Sequence, residues 1–468
     1  MKIKLSFFGI TIPLALAVIL SALTHSWLSG FAEDIQLQER VPGLDQVAVK
    51  QIAVNEPNFL DGTFVRLEGI PAEIPGSWPR FRGANSDAIY SDSQVTLSRN
   101  WEPGGLESLW AVDVGEGYAG PAIYAGRVYI IDYDRPNQSD VLRCLSLEDG
   151  RDIWSYSYPV RIKRNHGMSR TVPAVTEKYV VTMGPKCHLT CLDAKTGQFI
   201  WAKNLVREFN TKIPLWYAGQ CPLLEKDRAI IAPGGIALML AIDCATGNIL
   251  WQTPNPRQWQ MTHSSIIPME LSGHRMYVYC GSGGVVGISA ENGKILWEST
   301  EWKLRTNVPS PVILDQGRIF LTAGYNAGSM MLQISQQENR LHAKPLFQLK
   351  AKVFGAEQQT PVFYNGHLYG IRADEQLVCL DVNGNIVWTS GSDNKFGLGP
   401  LLIANGLIYL MNDTGLLTLA EASPTGFHQL AQAQVLDGHE SWAPMALVAG
   451  RLIVRDFTRM VCLNIRKK

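Results

Sequence analysis

The chain reads as an all-β protein, an eight-bladed β-propeller of four-stranded antiparallel blades closed by an amino-terminal strand. Three observations predict it. A glycine followed four positions later by tryptophan recurs at Gly150/Trp154, Gly197/Trp201, Gly247/Trp251, Gly293/Trp297 and Gly384/Trp388. The tryptophans are 47, 50, 46 and 91 residues apart, the last spacing being about twice the others. Finally, a lone strand near the amino end complements an unfinished unit at the carboxyl end. A period in the forties with four short strands per unit is a propeller signature, because one small sheet cannot bury both faces without neighbours.

Each marker is a hairpin. In Cys191 to Trp201, an apolar strand ends in an Asp turn, Gly197 takes a positive φ, and a second strand carries the aromatic. The blades begin in turn at Pro121, Pro173, Pro222, Pro268, Pro311, Pro361, Pro400 and Pro444. Proline is tolerated at the start of a strand, where it need not donate to the ladder. The double spacing hides a degenerate blade at Met330 to Phe347, with Phe347 in the tryptophan position. Leu106 to Val114 holds Trp110 without a glycine turn, whereas Met445–Val448, Arg451–Arg455 and Met460–Ile465 stop before any marker. Joined, they make one blade and remove the edges of an open ring. Merging two weak units would give seven blades instead of eight.

Ahead of the propeller, Lys2 and Lys4 precede an apolar run of 19 residues, Leu5 to Leu23, with small residues at Gly30-Phe31-Ala32. Residues 1–32 fit a signal peptide or an uncleaved signal anchor that leaves the rest exported, on the periplasmic or cell-surface side and held at the membrane. Residues 33–76, broken by Pro42, Pro57, Pro71 and Pro75, read as a spacer, and residues 77–468 as the propeller. Lys plus Arg and Asp plus Glu are both 42, so no net charge draws the chain to nucleic acid. Trp78 to Gly83 reads as an aromatic clasp on the domain's edge.

The motif Leu192-Asp193-Ala194-Lys195-Thr196-Gly197 with Trp201, repeated as Ile242 to Gly247 with Trp251, resembles the repeat of quinoprotein-type, pyrroloquinoline-quinone-like (PQQ-like) propellers. Trp78 to Gly83 is similar to the opening segment of exported bacterial members. That family includes quinone-dependent dehydrogenases and non-catalytic scaffolds such as the propeller of the outer-membrane β-barrel assembly machinery. The resemblance implies the fold and leaves both functions open.

Loops running from the outer strand of one blade to the inner strand of the next reach the central funnel. Aligned on the prolines, they supply Tyr118; His166 and Arg170; Trp216 and Tyr217; Gln260 and His263; Arg305 and Asn307; Glu357 and Gln358; Lys395 and Phe396; His439 and Glu440. Converging polar groups on a rigid scaffold mark the default ligand site. The alternative is a set of loops that satisfy one another and water.

The expected role is a non-catalytic binding or assembly scaffold with no cofactor or metal, whose partner is another envelope protein or a small ligand in the funnel. A quinone-dependent alcohol or sugar dehydrogenase is the first alternative. In it, Glu357 and Asn307 hold calcium and Arg170, Arg305 or Lys395 pair with PQQ carboxylates. The resemblance implies adjacent cysteines beside that cofactor, and none of the eight cysteines here is adjacent to another. Cys144, Cys191, Cys379 and Cys462 share one repeat position and read as buried thiols. A carbohydrate or peptide module using Trp216, Tyr217 and Phe396 is the second alternative. Asp132, Asp134 and Asn137 form a possible calcium loop. HExxH and GxSxG are missing.

Overall fold

A computed structural model describes residues 17–26, 62–101, 105–338 and 340–467. Residues 17–26 are helical, and the rest of the expected export segment lies outside the described residues. Among the described residues, no helix is long and apolar enough to cross a membrane.

The described strands form eight antiparallel blades. Blade 2 is representative, with inner strand Ala174–Val175, then Tyr179–Met183, His188–Asp193 and outer strand Phe199–Asn204. The degenerate fifth blade is real, because Met331 pairs with Phe347 where Cys191 pairs with Trp201. Blade 8 takes Glu107–Asp113 as its outer strand, paired with Arg459–Asn464 and placing Trp110 opposite Cys462. Ring closure by the amino-terminal strand is therefore as the sequence predicts.

The register explains the repeat. In every blade the ladder between the third and fourth strands slips just after the residue facing the marker, as at Cys191/Leu192 and Cys379/Leu380. Such a bulge twists the outer strand locally. It leaves the aromatic aimed at the next blade. Glycine and tryptophan of one marker thus serve different joints: Gly197 meets Trp154 of blade 1, Gly247 meets Trp201, and Gly293 meets Trp251. Gly197 has φ +72°, and a Cβ there would lie 2.6 Å from Trp154 Cδ2, so both backbone and space require glycine. The Trp201 indole also donates to the Cys244 carbonyl across the joint (2.8 Å).

Between blades, Val181, Leu189, Cys191 and Trp201 of blade 2 pack on Leu224, Ile231 and Leu240 of blade 3. All eight cysteines are buried and unbridged. Burial pushes the Cys187 and Cys280 thiols up to about 12, so they stay protonated and pack as small apolar groups.

Two segments before the first blade depart from the sequence reading. Thr63–Arg66, inside the stretch read as a spacer, pairs with Trp154 to Ser157 as an extra outermost strand of blade 1. The second departure concerns Trp78 to Gly83, which is no edge clasp. Ser77–Trp78 adds to the channel side of blade 1's inner strand, and Ile89–Tyr90 adds, parallel, to that of blade 7. Because inner strands run away from the crossover loops, the antiparallel leg climbs toward those loops and the parallel leg returns. The segment is a cork inserted into the channel from the opposite end.

Bonds around the ring hold the cork. The Pro79 carbonyl accepts from Val175 N–H (2.8 Å), Arg80 Nη1 donates to the Leu224 carbonyl (2.7 Å), and the Tyr90 hydroxyl accepts from Ala449 N–H (2.8 Å). Arg82 donates to the carbonyls of Thr360 (2.6 Å), Pro361 (2.8 Å), Asp87 (3.0 Å) and Ser86 (3.3 Å). Burial lowers its pKa to about 10, which leaves it cationic at neutral pH. The cork covers two inner-strand edges that would otherwise line an open channel.

Candidate functional site

With the far end corked, the channel becomes a blind cup of about 290 Å³ opening among the crossover loops. Its floor is Trp78, Phe81, Arg82 and Ala88. Its wall includes Tyr118, His166, Arg170, Trp216, His263, Tyr325, Gln358, Gln359 and Trp442.

The wall is built by interlocking loops. The Tyr118 hydroxyl donates to Glu440 Oε2 (2.6 Å), joining the first loop to the last. Burial and that bond push the Tyr118 pKa well up. Its ring lies 5.2 Å from Trp442 and 5.1 Å from the Arg170 guanidinium. Arg170 donates to the carbonyls of Trp216, Asn165 (2.9 Å) and Gly167 (3.0 Å), and burial lowers its pKa to about 10. Trp216 stacks on Tyr325 at 6.0 Å and tilts against His263 at 5.6 Å. Burial, then repulsion from Arg170, lowers His263 to about 4, so its imidazole is neutral at pH 7.

Several buried polar atoms in these loops have no hydrogen-bond partner: Gln359 Nε2, Ser169 Oγ and Ser441 Oγ. They belong to three different crossover loops. Buried polar groups are normally bonded to protein or water, and the same shortfall recurs at the joints between blades, as at Trp154 Nε1, Trp251 Nε1 and the Tyr409 hydroxyl, so it does not by itself single out the cup.

Six of the expected funnel residues line the cup, namely Tyr118, His166, Arg170, Trp216, His263 and Gln358. The others are placed elsewhere. Glu440 is engaged by Tyr118. Tyr217 is buried and donates to the Lys163 carbonyl (2.8 Å). Asn307, 1% exposed, lies behind the wall and its carbonyl accepts from His263 and Ser264 N–H. Arg305 is exposed away from the lining, and Glu357 packs against Gly324. Lys395 pairs with Glu375 (3.6 Å), while its neighbour Phe396 is core.

Sequence reasoning missed the floor, Tyr325 and Trp442. Trp442 follows the same rule as the chosen residues, two positions before Pro444. Tyr325 sits instead in a hairpin turn within blade 5, between Arg318–Ala323 and Gly328–Gln337.

The lining contains no carboxylate. Glu357 and Asn307, the expected calcium ligands, do not line it, and among the described residues no group of three or more His, Cys, Asp or Glu could hold a metal. A calcium-held quinone therefore does not fit this cup. The possible calcium loop is likewise committed elsewhere: Asp132 accepts from Gly115 and Tyr133 N–H and pairs with Arg143 (3.3 Å), while Asp134 accepts from Asn137.

A family model described as "Outer membrane protein assembly factor BamB" (PQQ_2) matches residues 137–390. The outer membrane protein assembly factor BamB of Moranella endobia (strain PCIT) is 23% identical over 294 residues, 60% of this chain and 72% of that protein. The quinohemoprotein alcohol dehydrogenase ADH-IIG of Pseudomonas putida is 24% identical over 236 residues, 46% of this chain, which spans only 32% of that enzyme. The crystal structure of BamB from Moraxella catarrhalis superposes with a TM-score of 0.54 at 14% identity, covering 76% of this chain and 99% of that one; this likeness concerns the fold alone.

Proposed function

We propose that this chain, which belongs to the PQQ_2 family described as outer membrane protein assembly factor BamB, is an exported propeller that works by binding rather than by catalysis. The observation that carries the reading is the blind aromatic cup, whose wall draws Tyr118, Arg170, Trp216, His263, Gln358 and Trp442 from separate crossover loops to one concave surface. Its partner is another envelope protein or a small ligand, engaged at the mouth by Trp216, Tyr325 and Trp442. Residues 1–32 direct export and tether the protein at the membrane, the stretch ahead of Thr63 links it, and the propeller, with Thr63–Arg66 on the edge of blade 1, carries the binding face on the periplasmic or cell-surface side.

Photo-cross-linking tests this reading. With benzoylphenylalanine in place of Tyr325, which is 66% exposed at the mouth, cells should yield a discrete adduct with an envelope protein. The same probe at Leu346, exposed on the outside of blade 5, is the control. Adducts of equal yield at both positions, or at neither, count against the mouth as the binding face.

The dehydrogenase alternative rests on the Pseudomonas putida relative. Titration of the full chain with PQQ in calcium buffer separates the two. The binding reading expects no stoichiometric uptake, since no carboxylate lines the cup.

A further inference from the structure

We infer that the cup is an anion site, taking the carboxylate of a small aromatic acid at Arg170 with the ring held between Trp216 and the floor. This rests on the reading of the cup as a binding face and names the chemistry it selects.

The first argument is charge. Two guanidinium groups, Arg82 and Arg170, and two imidazoles, His166 and His263, line the cup, and no Asp or Glu does. Each guanidinium is bonded to neutral carbonyls alone, four for Arg82 and three for Arg170. Glu440, the one carboxylate acting on Arg170, accepts the Tyr118 hydroxyl. Asp87 acts on Arg82 and Glu440 on Arg170 from outside the lining, so the surface of the cup itself presents cationic groups and no carboxylate, and an anion entering the mouth meets a wall of favourable sign. Arg170 suits that anion better than Arg82, whose donors are spent in holding the cork.

The second argument is independent of charge. Gln359 lines the same cavity, and its Nε2, turned away from the open space, is a buried donor without an acceptor that rotation of the terminal amide would bring to a ligand. A carboxylate carries several lone pairs and can accept from this amide while it faces Arg170.

The third is size and surface. A volume of about 290 Å³ sits at the lower end of small-molecule sites, near 300 Å³. It suits one or two rings and excludes a large cofactor. Trp216, Tyr118, Phe81 and Trp442 present ring faces and edges to such a body.

The test is calorimetric titration of the full chain in mild detergent with 3-phenylpropionate and with its neutral isostere 3-phenylpropionamide. The acid should bind at least about tenfold more tightly, roughly 1.4 kcal/mol. Arg170→Gln should erase that preference and Arg170→Lys should keep part of it. If Arg170→Gln does not fold, Gln359→Leu, which breaks no hydrogen bond of the protein, should still narrow the preference several-fold.

Equal affinity for acid and amide overturns the anion site while leaving the cup as a binding face. A preference that survives both substitutions also overturns it. Heat from neither ligand overturns it too; the broader reading then falls only if Trp216→Ala leaves the Tyr325 cross-link intact.

Discussion

The two ends of the channel are built from similar residues and treated oppositely. At the corked end, Arg82 spends its donors on four carbonyls, and Trp78 and Tyr90 complete two sheets. At the mouth, Arg170 is also buried and carbonyl-bonded, yet it shares the wall of an open cup with Gln359, whose buried Nε2 has no partner. A buried polar group left unbonded costs stability until a partner from outside satisfies it. The closed end is structural. The open end carries capacity that the protein does not use on itself.

Four measurements break or sharpen this contrast. The largest effect belongs to the joints between blades: Trp154→Ala, which empties a site filled against Gly197, should cost about 3–5 kcal/mol in chemical unfolding. A loss below about 1 kcal/mol would remove the joint from the list of structural elements. Next comes Arg82→Met, which strips the cork's carbonyls of their donor. It should cost about 2–4 kcal/mol, well above the cost of Trp216→Ala at the mouth. Equal costs at the two ends would erase the contrast.

Asp140 tests an intermediate case. It is buried, accepts from the Tyr158 hydroxyl (2.6 Å) through Oδ2, and leaves Oδ1 unbonded. Burial raises its pKa to about 7. A folded-state pKa above the ordinary carboxylate value means the folded protein holds the extra proton, so this group's contribution is full below about pH 4 and is lost as pH rises through 7. His188 and His263, lowered to about 3 and about 4 by burial, act with the opposite sign as pH falls below 6.5. The difference between wild type and Asp140→Asn isolates the carboxyl. The variant should gain in relative melting temperature from pH 4 to pH 8, and parallel curves would refute the buried acid. The smallest effect is Trp216→Ala, which should shift chemical stability by less than about 1 kcal/mol while abolishing the Tyr325 cross-link.

What was legible in the chain follows the same division. The joints repeat, so Gly197 and Trp201 announce themselves with their equivalents, and even Phe347 is found by its place in the period. The ring of crossover loops follows from aligning the blade-opening prolines, which is why six of its residues do line the cup. The cork has no period. Arg82 finds Thr360 278 residues away, through backbone carbonyls that leave no trace in side-chain identity. Tyr325 was hidden for a different reason, since a turn inside a blade, rather than a loop between blades, lifts it to the mouth.

One consequence of the split eighth blade concerns time rather than energy. Glu107–Asp113 is made before the four strands of any of blades 1 to 7, yet its partner, Arg459–Asn464, is the last strand described. The ring therefore cannot shut until nearly the whole chain exists, and the closing contact spans a loop that takes in all the other blades. A circular permutant, with the present ends of the propeller joined and new ends cut between blades 3 and 4, would keep every native pairing of blade 8 and shorten its seam to a contact across the cork segment alone. Its refolding should be limited by the new break, leaving the present seam as ordinary as the other seven blades.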